Sequence, residues 1–225
     1  MSQKKPAPIE GLVFDMDGLL VDSEKIVQRS WEHVGKILGY PDIGSHIYHT
    51  IGMNVVGREE YFRKHIAEDF PMEKFTAMTR QKFHEIVDTE GLDIKPGAKE
   101  LLLFAKERGL KMGLATSSRR QHAQENLTRL GIFGYFDGVV CGDMVTRSKP
   151  DPEIYEKACR IIGTRPENTI ALEDAPSGIQ SAYGAGMRPI MIPDMVEPAE
   201  ETRKLIWHRF DTLFDVIKLL EHILL

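Results

Sequence analysis

Cysteine is scarce in this sequence, which has only Cys141 and Cys159 among its 225 residues. Their spacing matches no zinc-binding pattern, so two buried free thiols in a reducing compartment are the default interpretation. Long hydrophobic runs are also missing, since none approaches the ~18 residues of a membrane span. The first eight residues contain lysines and prolines without the apolar centre of a signal peptide. These absences predict a cytoplasmic protein without a membrane partner.

An excess of positive charge is absent as well. The chain has 29 Lys and Arg against 34 Asp and Glu, a net charge of −5, whereas a general nucleic-acid binder would show a basic face. A hydrophobic share of 42% and a charged share of 28% are ordinary for a globular protein. The length allows one large domain or a domain with an insertion. We expect a monomer without a nucleic-acid partner.

Short apolar segments alternate with helical patterns over most of the chain. The segments predicted as strands are 9–14, 112–115, the region of Val139, 169–172 and 189–192. Helices are predicted at 98–108, 120–130, 152–162 and 177–185. The stretch 213–224 has helical periodicity and a broad apolar face, so we expect it to pack on the sheet. This alternation of strands and helices predicts a parallel α/β sheet.

The region after the first predicted strand is different, because its pattern is helical throughout. Ser23 is predicted to cap a helix over 24–38, and two further helices are predicted at 54–70 and 72–89. An all-helical insertion at this place would lie over the strand ends, where lids exclude water and shape specificity. We therefore assign residues 1–26 and 94–225 to an α/β core and residues 27–93 to a helical cap.

Two aspartates, Asp15 and Asp17, directly follow the first predicted strand. Period-two alternation would direct both carboxylates to one side at the carboxyl end of that strand, which is where ligands bind in open α/β sheets. Two adjacent like charges require a cation or a proton. The pair therefore indicates a metal site in which one carboxylate attacks and the other carries a proton.

Three later segments repeat the order of apolar strand, polar cluster and helix. The clusters are Thr116 to Arg119, Ser148 to Pro152 and Glu173 to Gly178. In a parallel sheet all of them would emerge at one edge. Together they supply carboxylates, hydroxyls and one lysine, which are the groups that handle a phosphoryl group with a hard metal ion.

The four motifs, taken in order, resemble those of the haloacid dehalogenase superfamily of phosphatases. They are Phe14 to Glu24, Leu114 to Arg119, Ser148 to Pro152 and Leu172 to Gly178. The similarity is greatest to the branch with a helical cap after the first strand, and within it to β-phosphoglucomutase-like and pseudouridine-5′-phosphatase-like members. It covers the core from Ile9 to about Pro193, whereas the cap matches only in length and helicity. The resemblance implies a Rossmann-like core and a Mg²⁺-dependent phosphatase of a small phosphorylated metabolite.

The resemblance also implies roles for three catalytic residues. Asp15 would be the nucleophile that forms an aspartyl-phosphate and splits one hard displacement into two easier ones. Asp17 would protonate the leaving oxygen and then deprotonate the attacking water. Lys149 would neutralise charge on the phosphate and on the attacking carboxylate.

Phosphate and metal ligands are implied in the same way. Thr116, Ser117, Lys149 and the backbone at Gly18 would bind the phosphate, whereas Ser118 would only cap a helix. The metal ligands would be Asp15, Asp174 and the backbone carbonyl of Asp17, with Glu173 as an outer partner that holds a metal-bound water or Lys149. Oxygen ligands with room for waters favour Mg²⁺.

Three alternatives to a phosphatase stay open. A phosphosugar mutase of the β-phosphoglucomutase type would carry a histidine where this chain has Val27, and an arginine shortly after a cap glycine. After Gly52 this chain reads Met53-Asn54-Val55-Val56, so hydrolysis is the simpler hypothesis. A phospho-accepting signalling module would need no second aspartate and no helical insertion, and a silent phosphate-binding protein would not need the full motif set. Sugar phosphates, nucleoside monophosphates and pseudouridine 5′-phosphate all remain candidate substrates.

Overall fold

Six parallel strands form one sheet in the computed structural model, which describes residues 8–53 and 55–224. The strands are β1 Gly11–Phe14, β2 Lys111–Thr116, β3 Gly138–Cys141, β4 Thr169–Glu173, β5 Arg188–Met191 and β6 His208–Arg209. Their order in the sheet is β3-β2-β1-β4-β5-β6, and β1 pairs with β2 on one side and with β4 on the other. The first five strands confirm the predicted segments. β6 was not predicted, because two residues carry no periodic pattern.

Helices cover both faces of this sheet. They are α5 Ala98–Glu107, α6 Arg120–Arg129, α7 Glu153–Ile162, α8 Pro176–Gly184, α9 Glu200–Arg203 and α10 Leu213–Ile223. Successive strand residues point to opposite faces, so Phe14 packs in one buried cluster and Val13 in the other. The predicted C-terminal helix, α10, packs as expected in the cluster that contains Phe14. None of the described helices is both long and apolar enough to cross a membrane.

Between β1 and β2 the chain forms the cap, whose described residues contain four α-helices and the 3₁₀ helix Ile43–His46. The α-helices are α1 Glu24–Leu38, α2 Ile47–Thr50, α3 Val55–His65 and α4 Met72–Glu90. The helix predicted over 54–70 is shorter than expected, because the chain turns after His65 and Phe70 precedes Pro71, a position that disfavours helical backbone. Its predicted first residue, Asn54, lies outside the described residues. These results confirm an α/β core with an inserted all-helical cap.

An aromatic cluster gives the cap a small core of its own. Trp31, Phe62, Phe70 and Phe75 are buried there, and Trp31 makes edge-to-face contacts with Phe62 and Phe75 at centroid distances of 5.3 and 5.7 Å. Such contacts add to the free energy gained by burial. This separate core supports the division into two domains. The boundary after residue 26 falls within the first turn of α1, and the exact limits of the domains stay a prediction.

The chain enters and leaves the cap at one place on the core. Val21 and Ile94 form an antiparallel bridge, and the Lys95 N–H donates to the Leu20 carbonyl at 2.9 Å. The Lys95 ammonium lies 2.6 Å from Asp194 Oδ1, in the loop after β5. The two connecting segments therefore form a paired hinge that positions the cap over the carboxyl ends of the strands.

Candidate active site

A cavity of about 180 Å³ lies between the cap and the carboxyl ends of β1, β2 and β4. Core residues in its wall include Asp15, Asp17, Thr116, Ser117 and Asp174. β1 ends at Phe14, so the two aspartates lie in the following loop and strand alternation does not direct them. That loop turns at Gly18, which has a φ of 80°. The structure nevertheless brings Asp15 and Asp17 to the same cavity, as the sequence predicted.

Lys149 is the buried cation of the site, with a side chain only 1% exposed. Its ammonium donates to Asp15 Oδ1 at 2.5 Å, to Glu173 Oε1 at 2.6 Å and to the Ala115 carbonyl at 3.0 Å. Burial opposes this charge, but Asp15 and Glu173 outweigh that effect and hold the pKa of Lys149 above its usual value. Lys149 is therefore a fixed charge between two carboxylates and not a solvated surface lysine.

Three buried carboxylates, those of Asp15, Glu173 and Asp174, converge beside this lysine. Each offers an oxygen within 4.8 Å of the others. Burial raises the pKa of Asp15 to about 7 against the opposing effect of Lys149, and burial together with Asp15 raises the pKa of Asp174 well above its usual range. Glu173 Oε2 is buried and has no hydrogen-bond partner among the described residues. An all-oxygen set with an unpartnered oxygen fits Mg²⁺ and its bound waters.

Two serine hydroxyls hold the Asp17 carboxylate. Ser23 Oγ donates to Oδ1 and Ser118 Oγ donates to Oδ2, both at 2.7 Å. The sequence assigned both serines to helix capping. Ser23 does occupy the N-cap position of α1, but its hydroxyl makes no capping hydrogen bond. The assignment of Ser118 is wrong, because Arg119 is the N-cap of α6 and that helix has no side-chain capping hydrogen bond. Each hydroxyl makes its bond to the buried-site carboxylate instead. The serines therefore orient the residue expected to act as acid and base.

The predicted phosphate-binding residues lie around the same carboxylates. Thr116 Oγ1 accepts the Ser118 N–H at 3.1 Å, which leaves its own hydroxyl proton for an anion. A side chain at Gly18 would place its Cβ 2.3 Å from Asp174 Oδ2, so only glycine allows this close approach. Ser117 Oγ donates to the carbonyl of Gly52 in the cap at 2.8 Å. Phosphate binding by these residues stays a prediction, whereas the Ser117 hydroxyl joins cap and core in this structure.

Glu24 and Arg58 reach the cavity from the cap, although sequence reasoning assigned neither a role. Glu24 is 8% exposed, and burial followed by the charge of Asp17 raises its pKa to about 8. The Arg58 guanidinium lies 5.1 Å from the centroid of the Trp31 ring, and its buried Nε has no partner among the described residues. Arg58 Nη2 donates to the Met53 carbonyl at 3.4 Å. Glu24 and Arg58 both line the cavity, so the remaining donors of Arg58 are available to a ligand there.

The position of Arg58 corrects part of the argument against a mutase. The sequence after Gly52 contains no arginine in its next four positions, yet the turn into α3 brings Arg58 into the cavity wall. The signal was available, since Arg58 follows a second cap glycine, Gly57, by one residue. Val27 also lines the cavity, as expected from the resemblance. Of the two departures from the mutase pattern named above, the absence of a histidine at Val27 remains.

The comparisons with known proteins agree with this geometry. Residues 12–192 match the family described as haloacid dehalogenase-like hydrolase. The chain belongs to this family, which confirms the resemblance stated above. It is therefore an enzyme, and the phosphatases among its relatives support the prediction of a phosphoric monoester hydrolase.

Three relatives illustrate the range of the family. The phosphorylated carbohydrates phosphatase of Thermotoga maritima is 34% identical over 81% of this chain and 84% of its own length. The structure of CbbY from Rhodobacter sphaeroides in complex with phosphate has a TM-score of 0.77 at 25% identity, covering 92% of this chain and 96% of that one. β-Phosphoglucomutase from Clostridium difficile has a TM-score of 0.78 at 24% identity, covering 96% and 100%, and this likeness shows the shared fold alone.

Proposed function

We propose that this protein is a Mg²⁺-dependent phosphatase that hydrolyses a small phosphorylated carbohydrate through an aspartyl-phosphate. The observation that carries the proposal is the buried contact between Lys149 and Asp15 Oδ1, beside Asp17 and the carboxylates of Glu173 and Asp174. A carboxylate fixed by one oxygen leaves the other for attack on phosphorus. Covalent catalysis then splits the displacement into two steps.

In these two steps Lys149 compensates negative charge, and Asp17 transfers protons. The ammonium of Lys149 stays in place throughout and offsets negative charge on Asp15 and on the phosphoryl group. Asp17 gives a proton to the leaving oxygen and later takes one from the attacking water. Its two serine donors, Ser23 and Ser118, hold the carboxylate at the cavity wall between these events.

The carboxylates of Asp15, Asp174 and Glu173, with the Asp17 backbone carbonyl, are the groups that would hold Mg²⁺. When bound, the ion neutralises charge on the phosphoryl oxygens. Glu173 lies within the carboxylate cluster, although the sequence assigned it to an outer position. Its unpartnered Oε2 is compatible with a direct bond to the ion or with a bond to one of its waters.

The cap side of the cavity supports a carbohydrate as the rest of the substrate. The Glu24 carboxyl, whose pKa is raised to about 8, can donate and accept hydrogen bonds, and Arg58 donates them, so the pair can bind hydroxyl groups of a sugar or alditol. The buried Nε of Arg58 has no partner among the described residues, and such a group is costly unless a ligand satisfies it. The relative from Thermotoga maritima is named for phosphorylated carbohydrates. The predicted cytoplasmic location, monomeric state and lack of a nucleic-acid partner stay predictions.

A screen of phosphorylated metabolites, scored as phosphate released per mole of enzyme, tests the proposal. The panel contains sugar phosphates, alditol phosphates, nucleoside monophosphates, pseudouridine 5′-phosphate and an artificial aryl phosphate. We expect release with Mg²⁺ and highest kcat/KM for a carbohydrate phosphate. Full activity after exhaustive chelation would contradict the metal requirement.

Variants at Glu24 separate the substrate assignment from the chemistry. Glu24→Leu should raise KM for the best carbohydrate phosphate by about 10-fold, the equivalent of one lost hydrogen bond, and leave the aryl phosphate within about twofold. An equal rise in KM for both substrates would show that Glu24 does not bind the carbohydrate part of the substrate.

A further inference from the structure

We propose that Tyr155 is a positioning residue for the metal and phosphate end of this site. Its hydroxyl fixes the Glu173 carboxylate so that one oxygen holds Lys149 against Asp15 and the other stays free for the metal ion. This inference rests on the proposed function. It concerns a residue outside the four motifs, on helix α7.

The contact is made by a completely buried side chain. Tyr155 is 0% exposed, and its hydroxyl donates to Glu173 Oε1 at 2.5 Å. Burial raises the pKa of Tyr155 well above its usual value, so the hydroxyl keeps its proton and acts as a donor. The ring also lies under Lys149, whose Nζ is 5.2 Å from the ring centroid. One side chain therefore contacts both members of the Glu173–Lys149 ion pair.

The two oxygens of Glu173 have unequal surroundings. Oε1 accepts from Tyr155 and from Lys149, whereas Oε2 is buried without a partner among the described residues. A carboxylate bound by one donor could tilt about that contact and direct its second oxygen elsewhere. Two donors that converge on one oxygen restrain the carboxylate plane. The hydroxyl of Tyr155 therefore helps to fix the direction in which the second oxygen points.

Losing this donor should affect the ion and the chemistry together. Groups that orient metal ligands through hydrogen bonds typically cost 10- to 100-fold in metal affinity or activity when they are removed. Among the described residues, Lys149 would become the sole side-chain donor to Glu173, and its contact with Asp15 would weaken. Substrate binding by Glu24 and Arg58 lies on the cap side, so KM for the organic part should change little.

The experiment compares Tyr155→Phe with a matched loss of a hydroxyl elsewhere. Tyr155→Phe keeps the ring and its contact with Lys149, and Tyr61→Phe removes a hydroxyl that bonds His46 in the cap at 3.1 Å. Mg²⁺ affinity is measured by calorimetry without substrate, kcat and KM with an aryl phosphate, and unfolding by thermal denaturation. We expect Tyr155→Phe to weaken Mg²⁺ binding and lower kcat by about 10-fold each, with KM within twofold. Tyr61→Phe should keep the wild-type Mg²⁺ affinity, kcat and KM, and its unfolding temperature should fall only by the small effect of one lost hydrogen bond.

A double variant makes the test specific to Glu173. If Tyr155 acts through this carboxylate, Tyr155→Phe should cause no further loss of Mg²⁺ affinity in a Glu173→Gln background. Wild-type Mg²⁺ affinity and kcat in Tyr155→Phe would overturn the inference, and so would a full additional loss in the double variant. A wild-type enzyme that neither binds Mg²⁺ nor releases phosphate would instead overturn the proposed function itself.

Discussion

Lys149 is a single side chain on which two buried carboxylates depend. Lys149→Ala leaves Asp15 and Glu173 facing each other without a counter-charge. Turnover should fall 10²–10³-fold, as when one preorganised electrostatic group is lost. The free energy of unfolding should fall by about 3 kcal/mol, since breaking a buried pair leaves uncompensated charge. The sequence alone predicted an unchanged fold, because it could not show that the lysine is buried. Kinetics and urea unfolding check both effects, with Lys218→Ala as the exposed control, and wild-type kinetics would refute the catalytic role.

Asp15 is expected to be indispensable for the reaction. Asp15→Asn keeps the shape of the side chain but cannot attack phosphorus, so steady-state turnover should be abolished while circular dichroism stays unchanged. Asp88→Asn is the control, because Asp88 is exposed and forms a surface ion pair with Arg129. A near-normal rate in folded Asp15→Asn would rule out the covalent mechanism.

Glu24 should impose a pH dependence on stability in the absence of metal. Its pKa is raised from 4.5 to about 8 in the folded protein, so the folded state keeps a proton that the unfolded chain releases. The free energy of unfolding should therefore fall as pH rises from about 4.5 to about 8, at about 1.4 kcal/mol per unit at most. Glu24→Gln removes this loss. Denaturant unfolding in a chelator should show the variant to be more stable at pH 8.5 and nearly equal to the wild type at pH 5, and equal curves at pH 8.5 would contradict the assignment.

At the scale of elements, Gly52, which lies between α2 and α3, brings the cap into contact with the core. Gly52 has a φ of 77°, and a Cβ there would lie 2.2 Å from Ser177 Oγ of the core. Gly39 has a similar φ of 87° but nothing within 4 Å of such a Cβ. Gly52→Ala and Gly39→Ala should both lose about 1–2 kcal/mol of stability from left-handed backbone. Only Gly52→Ala should lower kcat/KM, by about 10- to 100-fold, because the added methyl group pushes the cap away from Ser117 and Ser177 of the core. Equal kcat/KM in the two variants would show that this contact is not needed.

Elements with strong periodic patterns were predictable from the sequence. The predicted helix over 24–38 matches α1, since its apolar positions recur on one face and Gly39 ends it. The segment 43–50 was left without a helix, because its two short helices depend on tertiary packing: the 3₁₀ turn Ile43–His46 packs against α1, and α2 packs against that turn. Patterns of this length carry little local information.

Site residues were predictable where short motifs follow strands, and less so elsewhere. Asp15, Asp174 and Lys149 meet because parallel strands end at one edge of the sheet. Ser23 and Ser118 were assigned to capping, since local preference cannot reveal a carboxylate that tertiary structure brings near. Arg58 and Tyr155 lie on helices whose placement decides what they contact. Their roles follow from packing and have no sequence signal of comparable strength.

At the scale of the whole molecule, cap and core together decide where the phosphoryl group goes. A mutase must keep water from its phospho-enzyme until the sugar has turned, and its cap needs a residue that gates the acid. Val27 can neither donate nor accept a proton, so Asp17 should activate water as soon as the product leaves. We expect β-glucose 1-phosphate, if turned over, to give glucose and free phosphate. Product analysis with Mg²⁺ and a trace of bisphosphate primer checks this, and glucose 6-phosphate accumulating faster than phosphate would reverse the order of the two hypotheses.

Because β1 lies in the centre of the sheet, it is synthesised long before the strands with which it pairs. Gly11 pairs with Lys111 and Thr169, so β1 waits for its first partner strand while about 100 residues are added, roughly 5–20 s of synthesis. The cap is complete before β2 appears, and its aromatic cluster allows it to fold in that interval. Leu12, Val13 and Phe14 are fully buried in the folded sheet, and during the same interval they have no partner strand. An unpaired apolar segment of this kind promotes aggregation. Protection by a chaperone therefore matters most for nascent chains that end between the cap and β2.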